Sequence, residues 1–241
     1  MKVLHVLSLP AAGGAEVYVK DLAKTLTRSG HETHIGFLGK AADVGRSVEY
    51  EKKFLSELDA AGVKYFFIGN DARRRFWRGI RRVSDYVRRE KIDVYHAHLT
   101  YGILFGALLR IPRVYTHHNI VPRVPRLLYR ALSACIDRQI AISDICAKSL
   151  REYSGRPVEL IFNAVDEAKI EKKASFDVQG DVVKAIAVGR IHPQKNYALL
   201  VDAVAALSAE ARNRFVLRIA GEGPEPLVNT LRAKIQRLKL E

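Results

Sequence analysis

Short apolar runs rich in β-branched residues alternate along this chain with longer stretches in which apolar residues recur at helical spacing. Over residues 1–165, seven of the short runs fit strands. They are Lys2 to Ser8, His34 to Leu38, Val63 to Ile68, Asp93 to Ala97, Arg113 to His117, Gln139 to Ser143 and Val158 to Phe162. Strands that alternate with helices predict βαβ units, and hence an α/β domain with a parallel sheet.

The pattern changes over residues 166–182, which are polar and charge-rich and lack a sustained apolar period. A second series follows, with strands at Val183 to Val188 and Phe215 to Ala220 and helices at Ala198 to Leu207 and Pro224 to Leu238. We therefore predict a Rossmann-like N-terminal domain over 1–165, a linker or hinge over 166–182, and the opening βαβα of a second Rossmann-like domain over 183–241. Two strands are fewer than the five or six typical of a complete sheet.

Charge is the unusual feature of the composition. The chain has 241 residues, 48% of them apolar, and a net charge of +14. Half of this excess lies over residues 72–91, where there are nine basic residues and two acidic ones. Such a charge favours an anionic partner. No recognised RNA- or DNA-binding motif accompanies it, so we predict no nucleic-acid partner.

The basic segment from Arg73 to Lys91 also has the periodicity of an amphipathic helix. The apolar stripe expected to face the core consists of Phe76, Ile80, Val83 and Val87. Trp77 and the arginines lie outside the stripe, and both residue types favour the surface of an anionic membrane. We therefore predict that this helix faces a membrane, with a solvated helix face as the alternative.

The start of the chain lacks the layout of a signal peptide, and no run approaches the roughly 18 apolar residues of a spanning helix. We expect a cytoplasmic protein, with peripheral attachment to the inner face of the membrane.

A glycine turn, Gly13-Gly14-Ala15-Glu16, joins the first strand to the first helix. Glycines let the backbone approach a ligand closely, and the free N–H groups at a helix N-terminus favour an anion. The same residues also fit a tight turn in which Glu16 only favours the helix dipole.

Histidines stand at the ends of two successive strands. His96 and His98 share one face of their strand because side chains alternate, and the same alternation places only one of His117 and His118 toward a cleft. At one edge of a parallel sheet such groups can bind a substrate. A metal site is the alternative, but no carboxylate or cysteine stands at ligand spacing, so we predict none.

Two further turns follow the strands of the second half. Arg190 and Lys195 lie in a loop before a helix, where the Arg fork and the mobile Lys charge can together neutralise a diphosphate. Each cation by itself also fits a solvated surface. In the second turn, Gly221-Glu222-Gly223-Pro224, Glu222 either caps the next helix or contacts a ligand.

Taken in order, these motifs resemble the GT4-like family of retaining glycosyltransferases with the GT-B fold, over nearly the whole chain. The series is Gly13-Gly14-Ala15-Glu16, Asp93-Val94-Tyr95-His96-Ala97-His98, Thr116-His117-His118-Asn119, Ala141-Ile142-Ser143-Asp144, Asn163-Ala164-Val165-Asp166, Val188-Gly189-Arg190 to Lys195, and Gly221-Glu222-Gly223-Pro224. The resemblance implies transfer of a sugar from a nucleotide-sugar to a lipid-linked or cell-envelope glycan, with retention of configuration and without a metal or other cofactor.

The resemblance also assigns roles to particular residues. His118 would be catalytic, contacting the transferred sugar or assisting the acceptor hydroxyl. The donor side would comprise Gly14, Arg190, Lys195, Gly221 and Glu222. The acceptor side would comprise Gly13, Glu16 and His98.

One family element lies beyond this sequence. The paired glutamates that bind the donor's sugar and ribose follow the second helix of the donor domain in the family, whereas this chain ends at Glu241. We therefore expect the 241-residue chain to be inactive by itself. The alternative function is a catalytically inactive, truncated sugar- or lipid-binding remnant of such an enzyme.

Overall fold

A computed structural model describes residues 1–166, 170 and 182–240. The chain divides into two compact units, Met1–Glu171 and Lys172–Glu241. Most of the predicted linker, residues 167–169 and 171–181, lies outside the described residues.

The first unit is a parallel sheet with helices between its strands. Its strands are β1 (Lys2–Leu7), β2 (Glu32–Phe37), β3 (Lys64–Phe67), β4 (Val94–Ala97), β5 (Arg113–His117), β6 (Arg138–Ala141) and β7 (Glu159–Leu160). Its helices are α1 (Gly14–Arg28), α2 (Val48–Ala60), α3 (Phe76–Glu90), α4 (Thr100–Gly106), α5 (Arg126–Ser133) and α6 (Asp144–Ser154). Each of the seven predicted strands is present, and the predicted α/β class with a parallel sheet is confirmed.

The order of the strands across the sheet is β3-β2-β1-β4-β5-β6-β7. The direction of chain progression reverses between β1 and β4, and the carboxyl ends of strands at such a switch point are where α/β proteins bind ligands. In the register of this pair, His5 lies opposite His96. The sheet therefore brings residues from the start of the chain beside the predicted histidine motif.

Strand β1 is buried on both faces. Leu4 and Val6 belong to a core cluster with helices α3 to α6, whereas Leu7 belongs to a second cluster with α1 and α2. Because side chains alternate along a strand, His5 shares the face of Leu7. The local signals at the helix ends agree with this layering: the Ser143 hydroxyl accepts from the Cys146 N–H at the start of α6, and Gly155, with φ of 67°, ends that helix.

The basic helix α3 packs differently from the prediction at its start. Val83 and Val87 are buried, as expected, but Phe76 is 48% exposed, so its assignment to the core is wrong. Phe76 is the first residue of α3, and the core contacts begin one turn later at Gly79. A methyl group on Gly79 would stand 2.4 Å from the ring of Phe105, so the helix approaches α4 too closely there for a larger residue.

The second unit contains β8 (Val183–Val188), α7 (Tyr197–Ala205), α8 (Ala209–Asn213), β9 (Phe215–Ala220) and α9 (Glu225–Arg237). The two strands pair in parallel and have the predicted bounds. Helices α7 and α9 begin and end within two residues of the predicted positions. None of the helices in the described parts of the chain is long and apolar enough to cross a bilayer.

Candidate functional site

At the switch point of the first unit, the glycine turn lies beside the end of β1. Gly13 is the N-cap of α1, and Glu16 lies in its first turn. Ser8, directly after β1, donates a hydrogen bond from its hydroxyl to Oε1 of Glu16, at 2.7 Å. The predicted acceptor-side residue Glu16 is thus anchored at the carboxyl end of β1, and Gly13 precedes it in the same turn.

Gly14 makes no close packing contact. A methyl group added to it would meet nothing within 4 Å, and the residue is exposed. Packing within the first unit therefore does not require glycine at this position.

Imidazoles from β1, β4 and the residues after β4 and β5 lie together at this edge. Nδ1 of His98 and Nε2 of His118 are joined by a hydrogen bond of 3.0 Å. Nε2 of His98 and Nδ1 of His5 are joined by one of 3.1 Å. The ring centroids of His96 and His98 are 4.1 Å apart, so these two side chains do share one face of the strand.

His117 and His118 point in different directions, as predicted. His117 is buried and hydrogen-bonded through Nδ1 to the hydroxyl of Tyr115, at 2.9 Å. His118 is half-buried and lies with its ring centroid 5.6 Å from that of Tyr18 of α1. Tyr18 and His5, like Ser8, are neighbours of the site that the sequence motifs do not include.

Burial keeps these histidines neutral. It lowers the pKa of His5 and of His118 from 6.5 to about 4, and the pKa values of His96 and His98 also lie well below 6.5. Desolvation of the charged form is the largest cause in every case, and for His96 and His98 repulsion from neighbouring imidazolium charges adds to it. Near pH 7 the cluster therefore offers hydrogen-bonding groups without net charge.

Two groups of metal-binding residue types occur among the described residues: His5 with His96 and His98, and His34 with Glu32 and Glu90. In each group the candidate ligand atoms lie within 4.8 Å of one another. In the first group the side chains are already engaged: His5 with His98, and Nε2 of His96 with the Thr116 hydroxyl at 2.8 Å. Each of these three imidazoles thus bonds to a neighbouring side chain through at least one ring nitrogen, whereas Nε2 of His5 has no partner among the described residues.

In the second unit, the predicted donor-side residues lie in two adjacent loops after β8 and β9. The side chains of Arg190, Lys195 and Glu222 are all exposed. The loops are joined through their backbones, because the Ile191 N–H donates to the carbonyl oxygen of Glu222 at 2.8 Å. A methyl group on Gly221 would stand 1.8 Å from the carbonyl oxygen of Gly189, so this close approach requires glycine.

The first loop is also held by side chains. The Tyr197 hydroxyl donates to the carbonyl oxygen of Gly189, at 3.1 Å. Nδ1 of His192 accepts from the Gln194 N–H, at 3.2 Å, at the start of a short 3₁₀ helix over Pro193–Lys195. These contacts order the backbone while the Arg190 and Lys195 side chains extend into solvent, an arrangement suited to an anionic ligand.

This fold is the GT-B fold of glycosyltransferases. The family model for Glycosyltransferase Family 4 matches residues 12–169, and the chain belongs to that family. The GT4-like resemblance in the motifs is thereby confirmed.

Individual relatives agree with the family. The chain is 26% identical over 249 residues to a protein named putative glycosyltransferase EpsF of Bacillus subtilis, covering 92% of this chain but 62% of that protein. Among solved structures it is similar to HepE of Anabaena, in complex with UDP and glucose, with a TM-score of 0.77 at 19% identity, covering all of this chain and 67% of HepE. A glycosyltransferase of Rickettsia africae gives a TM-score of 0.73 at 18% identity, with 99% and 65% covered. The chain thus has the fold of part of such enzymes.

Proposed function

We propose that this chain forms part of a retaining hexosyltransferase, which transfers a sugar from a nucleotide-sugar to a lipid-linked or cell-envelope glycan. The observation that carries the proposal is the hydrogen-bonded pair His98 and His118 beside the N-terminus of α1, at the switch point of a Glycosyltransferase Family 4 sheet. Neutral imidazoles suit a sugar because they exchange hydrogen bonds with hydroxyl groups without attracting counterions.

The reaction would break the bond between the anomeric carbon of the sugar and the diphosphate oxygen. A new bond would form on the same face between that carbon and the acceptor oxygen, and the acceptor proton would pass to the leaving phosphate. Arg190 and Lys195 would neutralise the charge that develops on this phosphate, as preorganised cations do in phosphate-releasing reactions. No step of this scheme uses a metal or another cofactor.

A UDP-hexose is the first donor to test. The support for it is that HepE, which shares this fold, is a complex with UDP and glucose. The S. aureus enzyme TarM, also similar in fold with a TM-score of 0.68, is a complex with UDP and alpha-GlcNAc-glycerol. UDP-glucose and UDP-N-acetylglucosamine are therefore the donors to compare, with GDP- and ADP-sugars as contrasts.

Charge removal in the first loop of the second unit tests the donor site. In the protein that carries this chain, Arg190→Gln and Lys195→Met should each lower kcat/KM for sugar transfer. The expected decrease corresponds to a loss of about 2 to 4 kcal/mol of transition-state stabilisation for each variant. Lys184→Met, a matched loss of one exposed charge on β8, should leave transfer unchanged. Saturation-transfer NMR with UDP should show the same ranking in binding.

Near-normal transfer by both loop variants would defeat the donor assignment. Binding of UDP or of a glycan without any release of nucleotide would instead favour the alternative function, a catalytically inactive sugar- or lipid-binding remnant. The chain spans 62% of the length of EpsF. The transfer assay should therefore use the complete protein in which this chain occurs.

We further propose that the protein is cytoplasmic and that its basic segment contacts an anionic membrane, where a lipid-linked acceptor would be found. Trp77 is 57% exposed at the start of α3 and pairs edge-to-face with the exposed ring of Phe76, at 5.5 Å. Arg73, Arg74 and Arg75 line a cavity of about 490 Å³ immediately before them. Exposed aromatic rings beside arginines suit the interface of an anionic bilayer.

The charges along this segment are not equivalent. Arg78 and Arg82 pair with Asp71, and Arg88 pairs with Asp85 at 2.5 Å. Among the ion pairs of the described residues, none involves Arg73, Arg74 or Arg75. These three arginines, which directly precede the exposed aromatic rings in the chain, therefore carry the charge that would attract a membrane.

A further inference from the structure

Three histidines form a continuous row of hydrogen bonds at the switch point, which we call the imidazole chain. It runs from His5 through His98 to His118, with distances of 3.1 Å and 3.0 Å. His98 is central and uses both ring nitrogens, whereas each of the other two rings uses one. The two remaining nitrogens are Nε2 of His5 and Nδ1 of His118.

The protons of the imidazole chain are coupled to one another. A neutral imidazole carries one N–H, and every hydrogen bond between two rings needs one N–H and one bare nitrogen. Once the direction of donation in one bond is set, the direction of the other bond and the protonation of both terminal nitrogens are therefore determined. Only two arrangements exist: the third N–H lies either on Nε2 of His5 or on Nδ1 of His118.

The surroundings of the two ends differ. Nε2 of His5 is buried and has no hydrogen-bond partner among the described residues, and the His5 side chain is fully inaccessible to solvent. His118 is half-buried at the edge of the sheet, and its Nδ1 is not among the buried polar atoms that lack a partner in the described part of the chain. Among buried backbone groups, orphaned N–H donors are rarer than unsatisfied acceptors, and we apply the same preference to the ring nitrogens. The bare nitrogen therefore belongs at the His5 end.

We propose that the imidazole chain is directional, with His5 donating to His98 and His98 donating to His118, so that His118 presents Nδ1–H to an oxygen of the bound sugar. This inference rests on the proposed function for the identity of the ligand but not for the direction of the chain. His118 then acts as a hydrogen-bond donor to the sugar rather than as a base for the acceptor hydroxyl. His5 and His98 are positioning residues, since they act on the sugar only through His118.

The direction is measured by long-range ¹H–¹⁵N correlation spectra of the protein with ¹⁵N-labelled histidine at pH 7.5, which distinguish a protonated ring nitrogen from a bare one. We expect His5, His98 and His118 each to carry the proton on Nδ1. Assignment follows from the loss of one ring's signals in each single variant. A protonated Nε2 on His118 in the unaltered protein would overturn the proposal, and so would stoichiometric bound metal found by elemental analysis.

Variants of His5 test whether the imidazole chain sets the tautomer of His118. In His5→Leu, His98 loses its donor, and we expect the spectrum of His118 to show a mixture of tautomers. His5→Asn keeps an amide N–H near the position of Nδ1 and should restore a single Nδ1–H form. His34→Asn removes a buried histidine elsewhere, bonded to Tyr86 and Glu32, and should leave His118 unchanged.

A folded His5→Leu protein in which His118 keeps its single tautomer would overturn the positioning role. Transfer assays add a second readout. His5→Leu should lower kcat by roughly two- to fivefold with little change in KM, because His118 then presents a bare Nδ1 to the sugar in part of the molecules. His5→Asn should recover most of the rate. The spectra decide the direction of the imidazole chain even if no transfer is detected, so the two proposals fail separately.

Discussion

A methyl group on Gly221 would stand 1.8 Å from the carbonyl oxygen of Gly189, which makes this pair the closest restriction on side-chain size between the two loops of the second unit. Gly221→Ala must therefore push the loop after β9 away from the loop after β8. We expect a loss of about 1 to 3 kcal/mol in the stability of this unit, as for other overpacked contacts. Hydrogen-exchange mass spectrometry of β8 and β9 should show faster exchange.

Glu222→Ala is the matched control, because its side chain is exposed in the same loop. It should leave exchange in the two strands unchanged. If Gly221→Ala behaves like Glu222→Ala, the close approach of the loops does not exist in solution.

Gly14 gives the opposite expectation for stability. A methyl group there has free space, and the residue begins α1, so Gly14→Ala should leave the free energy of unfolding unchanged or raise it by up to about 1 kcal/mol. If a ligand approaches the backbone at this turn, UDP binding or sugar transfer should fall at the same time. A variant with full stability and full activity would assign Gly14 to the turn alone.

Acid should destabilise the first unit through its histidines. Their pKa in the unfolded chain is near 6.5, whereas the folded values of His5, His117 and His118 are about 4. Between these values the unfolded state binds more protons, so the free energy of unfolding falls as the pH falls from about 6.5 to about 4. Each pKa unit of depression corresponds to about 1.4 kcal/mol per group when fully expressed.

The pH dependence of the free energy of unfolding can be measured by urea unfolding followed by Trp77 fluorescence. Trp77 is the single tryptophan and lies in the first unit. His118→Asn should flatten the dependence between pH 6.5 and 4. Glu32 affects the free energy of unfolding in a separate pH range. Its lysine partners lower its pKa to about 2, so its contribution to stability falls only below about pH 4.5. An unfolding free energy that is constant from pH 6.5 to 4.5 would contradict the neutral state of the buried histidines.

Vesicle binding distinguishes specific membrane contact from general charge. Replacing Arg73, Arg74 and Arg75 with Gln should weaken binding to vesicles rich in phosphatidylglycerol by roughly a hundredfold, at about 1 kcal/mol for each basic residue. A triple change at Arg81, Arg88 and Arg89, which pair with Asp85 or Glu90, removes the same charge and should cost much less. A blue shift of Trp77 fluorescence should accompany binding.

If the two triple variants lose vesicle affinity equally, binding depends on net charge and not on the position of the arginines. Equal binding of the unaltered protein to phosphatidylcholine vesicles would remove the electrostatic basis altogether.

The helices and strands of this fold can be predicted from the sequence more completely than the contacts within the site. Strands β5, β8 and β9 have the predicted bounds because each is a short β-branched run between clear turns. Phe76 is exposed although its periodicity predicts a core position, because helical periodicity does not show where along a helix the core begins. His5 was missed because its role depends on the register of β1 with β4, which no local pattern contains.

The same register has a consequence for how the protein is made. His5 and His98 lie 93 residues apart in the chain, and they meet only when β4 pairs with β1. Strand β2 is synthesised soon after β1 and can pair with it early, but the other edge of β1 stays open until β4 has left the ribosome. During that interval β1, which is apolar and buried in the folded protein, is exposed to solvent. A nascent chain with such an exposed strand is prone to aggregate and to engage chaperones.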